Sequence, residues 1–313
     1  MYYPYFRGKQ YELITIRENA DVLAASNFVP IVEPVKEALN GLERALTAVG
    51  DAGGRSAVVV NPYHGDHAED GDRIVEFLRA GLLDALDISP AVLLKEHCTL
   101  EEAVQICEEF QNEQVTLVHA GFSDGAALAR ALDERVADLC HVFLEDSCGR
   151  LYRRHFQGNQ RVLLRDGFER RRNRDHPPME FFSDLHVTFA EEGMSGFGDF
   201  LTVGDEYSET GGPAYAIAIH LTYIDPEQDE AMFVRHFLSR RQDTPTDPAG
   251  KFAEALEAMI AVLDNGESPI LESNAVGEFR QLHRDRHYPG LGYVKKLSMQ
   301  HHIETLAQYF EEQ

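Results

Sequence analysis

Six side chains in this 313-residue sequence pair acid, base or cation chemistry with one recurring position, the polar end of a short apolar run. They are Glu33, Lys95, His119, Glu145, Asp166 and His220. Carboxylates and imidazoles brought together can move protons, with pKa values set by burial and neighbours, while a lysine stabilises developing negative charge. Asn61 and Asp199 occupy equivalent places. Glu145, Asp166, Asp199 and His220 also have the nitrogen and oxygen donors of a divalent-metal site, zinc or manganese. No HExxH accompanies them, and no HxH follows the first run. Arginine is dense nearby: nine of them fall between Arg150 and Arg174. Arg165, Arg170, Arg171 and Arg172 offer planar forks suited to phosphate or carboxylate. The competing reading is that they neutralise Glu169, Asp175 and Glu180, and that polar residues commonly end apolar runs.

Lys36 and Lys95 raise imine chemistry, including pyridoxal phosphate held through a lysine near the first strand. Against it, Lys36 follows Pro34-Val35, where a first helix begins, and Arg165 stands where a Schiff-base aldolase would have its lysine. Cys98 lies close to Lys95, Glu96 and His97, a setting in which a thiol is sometimes activated. Ala249-Gly250-Lys251 lacks the spacing of a P-loop, and Ser123-Asp124-Gly125 lacks a nucleophile elbow.

The runs that would position these residues begin near 28, 57, 91, 115, 141, 161, 197 and 214. Most are β-branched, and helical-period segments at 37–49, 69–80, 100–111 and 124–133 separate them. Buried strands alternating with helices predict a parallel sheet, and this repeat predicts a (βα)8 TIM-like barrel. A doubly wound open sheet would place a Gly-rich turn after the first strand; EPVK stands there instead. Thr99 and Ser123-Asp124 stand where N-caps belong. Residues 9–26 read as a leading helix. The seventh strand is either Leu185–Phe189 or Phe197–Val203, because the gap from Val203 to Ala214 is short for a crossover helix. Beyond Asp225 the pattern predicts helices at 227–241, 249–264, 273–284 and 293–311. The expected organisation is one domain over 1–313: a leading helix at 1–27, a barrel core at 28–225, and closing and peripheral helices at 226–313. In such a barrel the strand C-terminal ends carry the active site.

The net charge of −24 comes from 53 acidic against 29 basic side chains. A field of that sign repels phosphate backbones and argues against non-specific nucleic-acid coating. No apolar stretch approaches the roughly 18 residues of a membrane span. The start, Met1-Tyr2-Tyr3-Pro4-Tyr5, lacks the basic and apolar regions of a signal peptide. Cys98, Cys107, Cys140 and Cys148 form no CxxC pair, so free thiols in a cytoplasmic setting are expected.

The opening YYPYFRGKQYEL, with PIVEPVK at 30–36, FSDLH at 182–186, GFGDF at 196–200, GGPAYAIAIH at 211–220 and AGKF at 249–252, resembles the beta family proteins, a group that includes a phage beta protein. The resemblance touches most of the chain. It implies a bacterial or phage protein linked to mobile elements or phage conflict, and it supplies no reaction. Together with the residues, it leads to two expectations. One is a barrel enzyme acting by acid–base chemistry on a phosphate-bearing, nucleotide-like or other anionic ligand. The other is a non-catalytic barrel subunit that senses a ligand or docks a protein partner.

Overall fold

The apolar runs form a parallel sheet, as their burial on both faces requires. In chain order the strands are β1 (Tyr5–Phe6), β2 (Ile31–Val32), β3 (Ser56–Val59), β4 (Ile88–Leu94), β5 (Thr116–His119), β6 (Cys140–Leu144), β7 (Gln160–Leu164), β8 (Met179–Ser183), β9 (Gly196–Gly198), β10 (Ala218–Asp225) and β11 (Ala231–Leu238). The computed structural model describes every residue except Asn159, Thr210, Gly211, Pro213 and Glu267. Two compact units emerge, Met1–Arg165 with Thr188–Asp199, and Asp166–Val187 with Phe200–Gln313. The expected single domain over 1–313 is therefore divided.

The first unit is a (βα)8 TIM-like barrel. Its eight strands run in the order β1-β2-β3-β4-β5-β6-β7-β9, and every pairing is parallel. A parallel bridge between Tyr2 and Phe197 joins the last strand to the first. There Tyr3 N donates to Phe197 O at 2.8 Å and Tyr5 N to Asp199 O at 2.9 Å. Glycine makes that seam tight: a Cβ on Gly196 would lie 2.7 Å from Met1 O, and one on Gly198 would lie 2.2 Å from Tyr3 O. Crossover helices follow the strands. Asn40–Asp51 buries Leu42, Ala45, Leu46 and Val49, the expected helical-period set. Leu100–Glu109 starts at a capping box of Thr99 with Glu102, and Gly125–Leu132 is capped by the Asp124 carboxylate.

Seven of the predicted strand starts fall within a few residues of β2 to β7 and β9; the one at 214 does not belong to the barrel. The strand that replaces it is β1, at the N-terminus, and residues 9–26 form the first crossover, Gln10–Glu18 and Ala20–Ala25. With only two ladder residues beside Pro4, β1 has no apolar β-branched run to announce it. Phe197 lies in the eighth barrel strand, while Leu185–Thr188 is helical.

In the second unit β10, β11 and β8 form an antiparallel sheet in the order β10-β11-β8. The predicted helix over 227–241 is instead β11, reached through a turn in which Asp229 and Glu230 both take left-handed backbone angles. Helices at Pro248–Leu263, Asn274–Asp285 and Leu291–Glu311 match expectation. Ile219, Leu221 and Tyr223 pack with Phe252, Met259, Phe279 and Leu297 in the core. His301 and His302 are fully buried in the last helix. His301 accepts from or donates to Ser273 Oγ at 2.8 Å and contacts Thr222 O at 2.8 Å, with roles set by its tautomer.

Candidate functional site

Parallel register brings the residues after β1 to β7 and β9 to one rim. At its start, Glu33 is fully buried and saturated. Its Oε2 accepts from Tyr5 OH at 3.0 Å and from the Arg7 guanidinium in an ion pair. Its Oε1 accepts from the backbone amides of Tyr63 and His64 at 2.9 and 3.0 Å. The carboxylate predicted to be catalytic is thus the anchor of the loop after β3. Asn61 ties β3 to β4 in a similar way, accepting from Leu93 N at 2.7 Å and donating to Leu93 O at 3.0 Å.

What Glu33 holds in place is an aromatic–cationic platform. Tyr63 is 46% exposed. The Lys95 ammonium sits 4.9 Å from its centroid, and the His97 ring 5.1 Å from it. Farther round, Leu144 and Leu164 are register partners, which sets Glu145 beside Arg165. Arg165 Nε donates to Glu145 Oε2 at 2.5 Å and Nη2 to Oε1 at 3.2 Å, a two-pronged pair at about one-third exposure.

Other predicted residues are engaged by the fold itself. His119 ends β5 but points into the helix layer, stacked on Phe143 and packed against Phe156. Its Nδ1 meets Tyr152 OH at 2.8 Å and its Nε2 meets His141 Nδ1 at 3.1 Å. Burial drives its pKa well below the usual histidine range, with His141 adding to the shift. A fully enclosed ring of this kind is core, and His119 is removed from the catalytic set. Asp199 accepts from Tyr2 OH at 2.7 Å across the barrel seam. Asp166 belongs to the second unit, where it holds a loop by accepting from Phe168 N at 3.0 Å and Asp205 N at 2.7 Å. His220 lies within β10 of the second unit and is not a barrel strand end. Arg170 donates to Glu206 O at 2.6 Å, and Arg171 pairs with Glu180 at 3.0 Å, partners that fit charge neutralisation. All four cysteines are free thiols, and burial together with Glu102 raises Cys98 to about 11, opposite to activation.

The buried histidines give a pH prediction. Burial lowers His141, beside His119 and Arg161, and His301, beside Glu304, His302 and Glu272, each from 6.5 to about 4. An imidazole whose folded pKa is depressed is neutral in both states above 6.5, so stability is full there. As pH falls from 6.5 to about 4, the unfolded chain takes up protons first and stability is lost. The expected loss is roughly 3 kcal/mol per histidine on the 1.36 kcal/mol-per-unit scale. Denaturant unfolding from pH 7 to 4 measures it, and His141→Asn should flatten the slope; a profile unchanged by that substitution would contradict the assignment.

The second unit gathers a further cluster that sequence reasoning reached only through His220. Within the β10–β11 register His220 opposes His236, and Val234 opposes Glu180, so His220, His236 and Glu180 share one face of the sheet. His220 Nδ1 lies 2.6 Å from His236 Nδ1, and His236 Nε2 lies 2.9 Å from Glu180 Oε1. His176, just before β8, brings its Nδ1 to 3.6 Å from the same oxygen. The Phe168 ring lies against His176 and His220 with centroids 5.6 and 5.0 Å away. Burial holds His176, His220 and His236 below the usual histidine range. The signal in the sequence is HPPME at 176–180 with His236; a helix expected over 227–241 conceals that these residues meet.

No protein-family model and no curated protein matches this chain. No helix among the described residues is long and apolar enough to cross a membrane. Fold and site together define a class: a (βα)8 TIM-like barrel protein with a polar strand-end rim and an appended antiparallel α+β unit.

Proposed function

We propose that this chain binds an anionic ligand bearing a flat ring, of nucleotide type, at the strand C-terminal rim of its barrel. The observation that carries the reading is the Tyr63–Lys95 pair. An exposed aromatic face with an ammonium 4.9 Å from its centroid offers a stacking surface and a counter-charge together. Glu33, held by Arg7 and Tyr5, orients that tyrosine's loop before any ligand arrives. Such preorganisation reduces the ordering cost of binding. Any chemical step on the ligand would fall to Lys95 and to the Glu145–Arg165 pair, since His119 is enclosed in the helix layer. The resemblance to the beta family proteins extends the reading to phage conflict or mobile elements, and the free thiols suit a reducing compartment.

Calorimetric titration with the four common nucleoside monophosphates and with inorganic phosphate tests the proposal. At least one nucleotide should bind more tightly than phosphate alone. Tyr63→Ala and Lys95→Met should each weaken it by about tenfold, the size of one base–aromatic contact, without changing the unfolding midpoint. Absence of binding to all four nucleotides, or unchanged affinity in both variants, would overturn it.

A further inference from the structure

We propose that His176, Glu180 and His236 form a zinc-binding site within the second unit. Each residue directs one donor atom inward, two imidazole nitrogens and one carboxylate oxygen, and all three lie within 4.8 Å of one another. Zinc bonds of 2.0–2.2 Å in tetrahedral array set donors roughly 3.3 Å apart. The separations from Glu180 Oε1, 2.9 Å to His236 Nε2 and 3.6 Å to His176 Nδ1, bracket that spacing.

A second observation points to a ligand independently. The His176 side chain is only 2% exposed, and its Nδ1 is a buried polar atom with no hydrogen-bond partner. A buried ring nitrogen without a partner carries a desolvation cost that a metal bond would offset. That nitrogen faces the Glu180 oxygen at a distance too long for a hydrogen bond and right for two ligands of one ion.

The surroundings also match what metal ligands need from their neighbours. With His236 Nε2 on the ion, His236 Nδ1 carries the proton and donates to His220 Nδ1 at 2.6 Å, fixing the ring. Arg171 Nη2 holds the other Glu180 oxygen at 3.0 Å, which leaves Oε1 for the ion. Phe168 closes an apolar side. Glu180 keeps 18% side-chain exposure, so water can reach the ion. Three protein ligands with a fourth position open to water is the arrangement of catalytic rather than structural zinc.

Extinction by chelator competition and elemental analysis of the full chain test this directly. One equivalent of zinc is expected after reconstitution, and cobalt in its place should show the intense visible absorption of a tetrahedral centre. His176→Ala should weaken zinc binding at least a hundredfold; because the ring packs against His236, Phe168 and His220, its unfolding midpoint is measured alongside. His236→Gln should do the same, and circular dichroism with the unfolding midpoint reports whether it folds. Failure of the wild-type chain to retain zinc overturns the proposal. So does one equivalent bound with undiminished affinity by a folded His176→Ala chain.

Discussion

Replacing Glu33 with alanine is expected to destabilise the chain by about 3–5 kcal/mol, the cost of leaving one charge of a buried pair without its partner. Glu33 is 0% exposed, and the Arg7 side chain paired with it is 8% exposed. The variant deprives the Arg7 guanidinium of its carboxylate, Tyr5 OH of an acceptor, and the Tyr63 and His64 amides of theirs. With Glu33 itself after β2, these groups come from β1, the residues just beyond it and the loop after β3, so three neighbouring barrel segments loosen at once. Urea unfolding of Glu33→Ala beside Glu145→Ala is the measurement. Glu145 pairs with Arg165 at the rim with both side chains part-exposed, and its loss should cost about 1 kcal/mol or less. Equal, small effects from both would mean that Glu33 is not the structural anchor described above. The outcome also bears on function: a loss of ligand binding in Glu33→Ala would follow from the displaced Tyr63 loop, not from a missing proton carrier.

Replacing Lys251 with methionine is expected to destabilise the second unit by about 3 kcal/mol, because it removes three charge-assisted hydrogen bonds at roughly 1.5–3 kcal/mol each, less what water recovers at the part-exposed carbonyls. Lys251 is 1% exposed. Its ammonium donates to Ala214 O at 3.2 Å, to Tyr215 O at 2.7 Å and to Thr244 O. An ammonium has three protons to give, and this one uses them on two loops that flank the sheet. Methionine keeps the apolar stem and removes the donors, which isolates the hydrogen-bonding contribution. Thermal and urea unfolding check it; a midpoint equal to the wild type would show that the carbonyls find other donors. Lys251 sits in AGKF, and two of its acceptors lie in the GGPAYAIAIH segment, whose Gly211 and Pro213 are outside the described residues.

That pairing shows what the stretches singled out in the sequence do in the fold. YYPYFRG supplies Tyr2, Tyr5 and Arg7, PIVEP supplies Glu33, and GFGDF supplies Gly196, Gly198 and Asp199. These residues meet one another across the adjacent strands β9, β1 and β2. FSDLH contributes Ser183, whose hydroxyl accepts from Leu185 N at 3.1 Å, and His186, which contacts Glu230 O at 2.9 Å. The contacts these stretches make are architectural.

The sequence by itself determined the barrel's class, most of its strands and helices, and two helix caps. These follow from local periodicity and from side chains that bond within a few residues of themselves, as Thr99 does with Glu102. It also determined that polar residues end the strands. What it left to tertiary structure was the partner of each. Glu33 read as a chemistry-bearing residue, and Lys251 only as a lysine without a P-loop, until the fold surrounded each with partners from distant segments. β1 became a strand only through ladders on both sides, and 231–238 became one only beside β8 and β10. His176, Glu180 and His236 are 60 residues apart at most, and antiparallel register alone brings them together. A side chain's type states which bonds it can make; only the packed chain decides which of them are already made.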